Sequence, residues 1–249
     1  GGYSYTDGGP RTLTGVTNVF STNSAFAALK TDGSVVTFGS SYSGGNSSSV
    51  SGYLSSGVIN IVSTDYAFAA LKDGGSVVTW GNAQGGGDSS GVSEHLASGV
   101  VGIFSTDSAF AALKSSDGSV VTWGNAQGGG NPGDVDLSSG VTKIVSTGSA
   151  FAALKSDSSV VTWGNHLYNI DLQIENGNND IEFVFTSKNM ICIKRENSIS
   201  ILSSGVVFLT SIPLTTIQIF STLFAFAALK SDGSVVTWGD TSYGGDSGV

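Results

Sequence analysis

Apolar and polar positions along the chain fall into one pattern that keeps returning. "SAFAALKTDGSVVTFG" at residues 24–39 sets it out: a five-residue apolar run, a short polar turn, a second apolar run and a glycine. Close copies follow as "YAFAALKDGGSVVTWG", "SAFAALKSSDGSVVTWG", "SAFAALKSDSSVVTWG" and "FAFAALKSDGSVVTWG". Each is preceded by a third apolar stretch such as "GVTKIVST" from Gly140 to Thr147. All three segments are too short for independent helices, and Val, Ile, Thr, Phe and Trp dominate the first and third, so the pattern predicts three β-strands per copy. Asp-Gly between the second and third segments, as in Asp32-Gly33, Asp117-Gly118 and Asp232-Gly233, predicts a two-residue hairpin turn. That turn overrides the helical propensity of the alanine-rich "FAALK".

The phenylalanines Phe26, Phe68, Phe110 and Phe151 are spaced by 42, 42 and 41 residues, and Phe226 follows 75 residues later. The long gap hides a divergent copy. "FVFTSKNMICIKRENSISIL" at 183–202 aligns with "IVSTGSAFAALKSDSSVVTW" at 144–163. In that alignment Met190 replaces Phe151, Lys194 replaces Lys155, Glu196 replaces Asp157 and Leu202 replaces Trp163. Six copies of about 36–42 residues predict a propeller or a solenoid built from one brick. Apolar residues run on through the strands without strict alternation, so both faces of each small sheet need cover. Four-stranded blades around an axis supply that cover, whereas a linear solenoid needs shorter and more uniform coils. The expected fold is all-β, a β-propeller of six to seven four-stranded blades, forming a single domain over residues 1–249 with a divergent fifth copy at about 165–202. The Gly/Ser-rich linkers end in V-x-x-x-L-x-S-G, as between Asn82 and Gly99, which predicts an ordered outer strand or turn. The chain opens and closes inside the repeating unit, as a ring joined at its ends or a piece of a longer array would.

The core A-L-K-x-D-G-x-V-x-x-W-G joined by S-G-V-x-x-I resembles the regulator of chromosome condensation repeat family across essentially all 249 residues, and the short period is most similar to the β-lactamase inhibitor protein II branch. The resemblance implies a seven-bladed β-propeller. It leaves function open, because relatives include nucleotide-exchange factors, a plant ultraviolet photoreceptor, ubiquitin-ligase domains and protein inhibitors. The third segments end in one aromatic each, at Phe38, Trp80, Trp123, Trp163 and Trp238, without the adjacent tryptophan pairs of the photoreceptor.

Composition narrows the chemistry. With 39% hydrophobic and 12% charged residues the chain can bury a core, and its 36 glycines sit between apolar runs as turns rather than in a collagen period. A net charge of −9 without a basic cluster excludes a phosphate-backbone partner, so no nucleic acid is expected. The single Cys192 excludes an internal disulfide framework and a multi-cysteine zinc site. No apolar run reaches the length of a membrane span.

Candidate chemistry is weighed residue by residue. "GDSG" at 245–248 resembles a serine-protease nucleophile motif, but "GGDSSGV" at 86–92 repeats it within the brick and no histidine lies in a matching context. His95 and His166 each stand alone in a linker. Asp134 and Asp136 lack the spacing of a calcium loop. Lys30, Lys72, Lys114, Lys155, Lys194 and Lys230 recur at one place in every copy, as hairpin-end ion pairs and packed stems or as a ring of cations for an acidic partner.

One brick differs from the rest. The linker from Asn165 loses its Gly/Ser character, which makes Tyr168, Ile170, Leu172, Lys188, Lys194 and Arg195 the candidate partner-binding residues, with drift as the competing explanation. The sequence therefore reads as a non-catalytic structural or protein-interaction module without a cofactor, within a larger assembly such as a homo-oligomer or filament. An inhibitor or receptor-type binder using one loop face is the alternative, with Tyr42, Tyr53, Tyr168 and Tyr243 to inspect, and an enzyme would need a central-channel site. The low charge and the sequon at Asn46 suggest an extracellular or secreted protein.

Overall fold

The computed structural model describes residues 12–165, the strands at 181–186, 190–195, 199–203 and 206–210, and residues 216–222 and 225–246. Two compact units divide at Ser139 and Gly140. The first holds three antiparallel sheets of three strands. They are β1 Val16–Ser21, β2 Ala25–Lys30 and β3 Val35–Gly39; then β4 Val58–Ser63, β5 Ala67–Lys72 and β6 Val77–Gly81; then β7 Val100–Ser105, β8 Ala109–Lys114 and β9 Val120–Gly124. The second unit holds β10 Val141–Ser146, β11 Ala150–Lys155 and β12 Val160–Gly164 in one sheet. The next sheet runs β13 Ile181–Thr186, β14 Met190–Arg195, β15 Ile199–Ser203 and β16 Val206–Thr210, and the last is β17 Thr216–Ser221, β18 Ala225–Lys230 and β19 Val235–Gly239.

The unbroken apolar run of "AFAALK" has a direct physical reason. In β5 the side chains of Phe68 and Ala70 join a core shared with Ala25, Ala27, Leu29 and Leu54 of the preceding copy. The alternate residues Ala67, Ala69 and Leu71 join a second core with Val100, Ile103, Phe110 and Trp123 of the following copy. One strand thus serves two cores, one per face, and the period of two survives inside an all-apolar run. Burying a side chain the size of Phe68 contributes roughly 1.5–3 kcal/mol, so the stack of sheets is held mainly by these contacts between copies.

Among the described residues the sheets of the first three copies have three strands each, where the sequence pattern suggested four. In the first three copies the fourth place is taken by the linker, which meets the outer strand through one backbone bond and through Thr37, Thr79 and Thr122. Val35 N–H donates to Leu54 O, Val77 N–H to Leu96 O and Val120 N–H to Leu137 O, each at 2.9 Å. Linker residues instead form short 3-10 turns at Ser41–Ser43, Ser48–Val50, Ala83–Gly85, Ser90–Val92 and Ala126–Gly128. Leu54 N–H donates to Val50 O at 3.3 Å just beyond the second of these turns, and Leu54 and Leu96 are buried as the pattern required. Among the described residues only the divergent copy has a fourth strand, β16.

The hairpin is also one residue longer than Asp-Gly suggested. Gly33 N–H donates to Lys30 O at 2.9 Å, Lys30 N–H donates to Ser34 O at 2.9 Å, and Gly33 sits in the left-handed region at φ 74°. This is a three-residue loop with glycine in the bulge position. In the fourth copy Ser158 fills that place at φ 66°.

The alignment of the divergent copy shifts by one residue in its middle strand. Ile191 pairs with Leu202 as Phe151 pairs with Trp163, and Arg195 pairs with Ile181 as Lys155 pairs with Val141. Ile191, not Met190, therefore occupies the place of Phe151, and Arg195, not Lys194, that of Lys155. The cause is a hairpin shortened by one residue between β14 and β15; Leu202 does occupy the place of Trp163, and Glu196 lies outside the described residues.

Candidate interaction surfaces

The residues that recur most faithfully are consumed in holding copies together. Phe68 stacks on Trp80 with centroids 5.2 Å apart, and Phe110–Trp123 and Phe151–Trp163 repeat the same 5.2 Å geometry. Trp80 Nε1 donates to Gly44 O at 2.9 Å and Trp123 Nε1 to Gly86 O at 3.0 Å, so each indole reaches the linker of the copy before it. Burying an indole N–H without an acceptor would be costly, and the linker carbonyl removes that cost. A threonine fixes the same linker from the other side. Thr64 Oγ1 accepts from Ala67 N–H at 3.0 Å and donates to Gly85 O at 2.9 Å, and Thr106 does the same with Ala109 and Gly128.

The repeated lysines turn inward to their own copy wherever their contacts are described. Lys72 Nζ donates to Tyr53 O and Lys114 Nζ to His95 O, each at 2.6 Å, and Lys114 also reaches Ser98 O. Lys30 and Lys230 stand 4.0 and 3.8 Å from the hairpin acids Asp32 and Asp232. They tie the linker and hairpin end of each copy, as expected of packed stems and ion pairs.

The hairpin acids are turn formers. Asp32 Oδ1 accepts from Ser34 N–H at 3.0 Å and from Ser34 Oγ at 2.6 Å, and Asp157 with Ser159 and Asp232 with Ser234 repeat the pair of bonds. The serine hydroxyl first and its N–H second hold these three carboxyls below their ordinary value. For Asp117 the Ser119 N–H is the larger cause. Asp88, inside the "GGDSSGV" string, accepts from Ser90 N–H at 2.9 Å, and its carboxyl is lowered in the same way. That string is a turn in the linker. Ser247 and Gly248 of its "GDSG" counterpart lie outside the described residues.

Asp136 likewise closes a turn on Ser138, through N–H at 3.0 Å and Oγ at 2.6 Å. Among the described residues no three of His, Cys, Asp and Glu gather into a metal-binding group, and His95 is exposed in its linker. His166 lies outside the described residues, as do Tyr168, Ile170, Leu172 and Lys188. Lys194 and Arg195 are the last two residues of β14; their side chains lie outside the description. Among the described residues no helix is long and apolar enough to cross a membrane.

The exposed aromatic residues at loop ends are tyrosines. Tyr42, 61% exposed, meets Tyr66 edge to face with centroids 5.7 Å apart. Tyr53 and Tyr243 are exposed as well. Tyr66 carried a signal in the sequence that was not singled out: it stands where the first, third and fourth copies carry Ser24, Ser108 and Ser149.

No family profile and no curated protein matches the chain. Solved structures do. Human WBSCR16 is similar over 91% of this chain and 77% of its own, with 15% identity and a TM-score of 0.58. Prp20p from Saccharomyces cerevisiae, characterised with its binding to Gsp1p and histones, is similar over 90% of this chain and 72% of its own, at 14% identity and TM-score 0.56. The CRINKLY WD40 ectodomain of the Arabidopsis thaliana receptor kinase ACR4 is similar over 90% and 79%, at 15% identity and TM-score 0.51. The likeness is one of fold. The chain is all-β, built of repeated antiparallel sheets, with the RCC1-like propeller type of fold.

Proposed function

We propose that the chain is a non-catalytic β-propeller of six to seven blades that works as a structural or protein-interaction module. One observation carries this reading: Phe68, Phe110 and Phe151, their tryptophan partners and the hairpin acids are engaged in packing and turns, while Tyr42, Tyr53 and Tyr66, which vary between copies, are exposed at loop ends. Tyr42 and Tyr66 form a surface aromatic pair at loop ends in which both rings are accessible, and tyrosines give large contact area at low entropy cost. A net charge of −9 favours a protein partner with a basic surface over nucleic acid.

The loop-face binder is the second reading, and the Tyr42–Tyr66 pair favours it. The short period supports the β-lactamase inhibitor protein II branch, in which a protein inhibitor would use such a face. An extracellular location and a place in a larger homo-oligomeric or filamentous assembly belong to the same proposal; the exposed Asn46 of the sequon supports the former. The test is a photo-crosslinking residue at position 42, with one at His95 as control, in an extract of the source. A discrete protein adduct at position 42 that disappears with Tyr66→Ala is expected. Equal labelling at both positions, or none at position 42, overturns the loop-face reading.

A further inference from the structure

Three successive turns lie side by side within the first unit. Each joins the first two strands of its copy: residues 22–24 between β1 and β2, 64–66 between β4 and β5, and 106–108 between β7 and β8. Asn23 N–H donates to Asp65 O at 3.0 Å and Asp65 N–H to Asp107 O at 2.9 Å, so the turns abut through their backbones and Asp65 and Asp107 are neighbours. Tyr66 stands in the middle turn. It meets Tyr42 of the preceding linker edge to face, and a Cβ placed on Gly85 of the following linker would come 3.1 Å from its own Cβ. The exposure of the pair is a property of this face. Tyr66 has described copies on both sides, and Gln84 and Gln127, which hold the place of Tyr42 in the next two linkers, are exposed as well.

The charges of the unit are sorted by end. Among its described residues Lys30, Lys72 and Lys114 are the lysines and arginines, and each is the last residue of its middle strand, at the hairpin end. A six-residue strand separates that end from the turns by about 17–20 Å. Charges are screened over about 8 Å at physiological salt, so the lysines do not offset the turn acids. The field at the tyrosines is set by Asp65 and Asp107, and it is negative. Among the described residues Asp65 makes no ion pair, which leaves its carboxylate for a cation from outside.

We propose that this turn face binds an arginine-bearing segment of a protein partner, with a guanidinium seated on the Tyr66 and Tyr42 rings and paired with Asp65. The occupant is identified by charge and shape together. A tyrosine face attracts a cation, and a carboxylate in the same turn accepts from it. The planar guanidinium can stack and donate at once, which a lysine ammonium cannot, and an acidic segment would be repelled. The inference rests on the loop-face reading and names the chemistry of its partner.

The probe is a fluorescently labelled short peptide of alternating Arg and Gly, beside its citrulline counterpart, which keeps the shape and loses the charge. Fluorescence anisotropy is expected to show the arginine peptide binding, more weakly as salt rises, and the citrulline peptide not binding. Tyr66→Ala and Asp65→Asn are each expected to weaken binding about three- to tenfold, and Tyr66→Phe to restore it. Asp73→Asn, at the hairpin end of the same copy, is expected to change nothing. None of these side chains is buried, and unaltered circular dichroism and melting confirm the fold of each variant. Equal weakening by Asp65→Asn and Asp73→Asn would mean that net charge alone attracts the peptide, and overturns the proposal. Failure of the arginine peptide to bind, or equal binding of the citrulline peptide, overturns it too. The crosslink at position 42 keeps the two readings apart. An adduct that excess arginine peptide competes away supports both; an adduct that persists overturns the basic partner and leaves the loop-face reading standing.

Discussion

The indole nitrogen of Trp80 donates to the carbonyl of Gly44, 2.9 Å away and 36 residues earlier in the chain. The bond joins one copy to its neighbour, and Gly44 is held there by shape as much as by hydrogen bonding. Its φ of 93° is one that side chains rarely adopt, and a Cβ would come within 2.7 Å of the Phe68 ring.

Gly44→Ala combines backbone strain with overpacking, so a destabilisation of about 2–4 kcal/mol is expected. Trp80→Phe removes the donor and leaves the Gly44 carbonyl without it, along with some ring volume; about 1–3 kcal/mol is expected. Denaturant unfolding measures both. Because the two residues touch, the double variant should cost less than the sum, and full additivity would show that the contact is not the source of the effect.

Ser158 occupies the left-handed bulge position that Gly33, Gly75, Gly118 and Gly233 fill in other copies. A non-glycine residue there carries a penalty, offset in part by the greater entropy that glycine loses on folding. Ser158→Gly is expected to stabilise the chain by about 0.5–1 kcal/mol, read as a raised denaturation midpoint at constant slope.

Much of this architecture was legible because burial repeats with the sequence. The six copies, the three strands and the cover on both faces of "AFAALK" follow from a run whose alternate residues enter two cores. The linkers were harder to read: an apolar Val50 and Leu54 pair fits the period of an outer strand and a run of short turns alike, and in the first three copies the described linkers form 3-10 turns joined to the outer strand by one backbone bond each. The divergent copy slipped by one in β14 because aligning it on Leu202 carried the short hairpin's missing residue into the preceding strand. The burial of individual phenylalanines was not legible: Phe26 and Phe68 sit in nearly identical local sequence, yet Phe68 is buried and Phe26 is 46% exposed.

The hairpin carboxyls give the chain a defined acid response. Asp32, Asp117, Asp157 and Asp232 each have a folded pKa below the ordinary 3.8, because Ser hydroxyls and N–H groups bond the charged form. A carboxyl lowered on folding contributes stability that is fully present above its unfolded value and is lost as pH falls through its folded value. The melting temperature is therefore expected to hold from neutral pH down to the ordinary carboxyl range and to fall below it. Asp157→Asn keeps an acceptor for Ser159 but does not titrate, so it should flatten part of that fall; an unchanged acid slope in a variant with all four replaced would locate the response elsewhere.

Lys114 separates a structural lysine from a partner-binding one. Its ammonium is spent on the carbonyls of His95 and Ser98, which close the linker just before β7, and its stem lies over Gly99. Lys114→Met keeps the stem and deletes the donor, leaving those carbonyls to water because they are exposed. A loss of about 0.5–1.5 kcal/mol is expected, with faster amide exchange confined to the linker around residues 93–99. If the repeated lysines served instead as a ring of cations for an acidic partner, the same substitution would leave exchange untouched and weaken only the capture of that partner. Exchange mass spectrometry on the isolated chain distinguishes the two, because the structural role needs no partner to be seen.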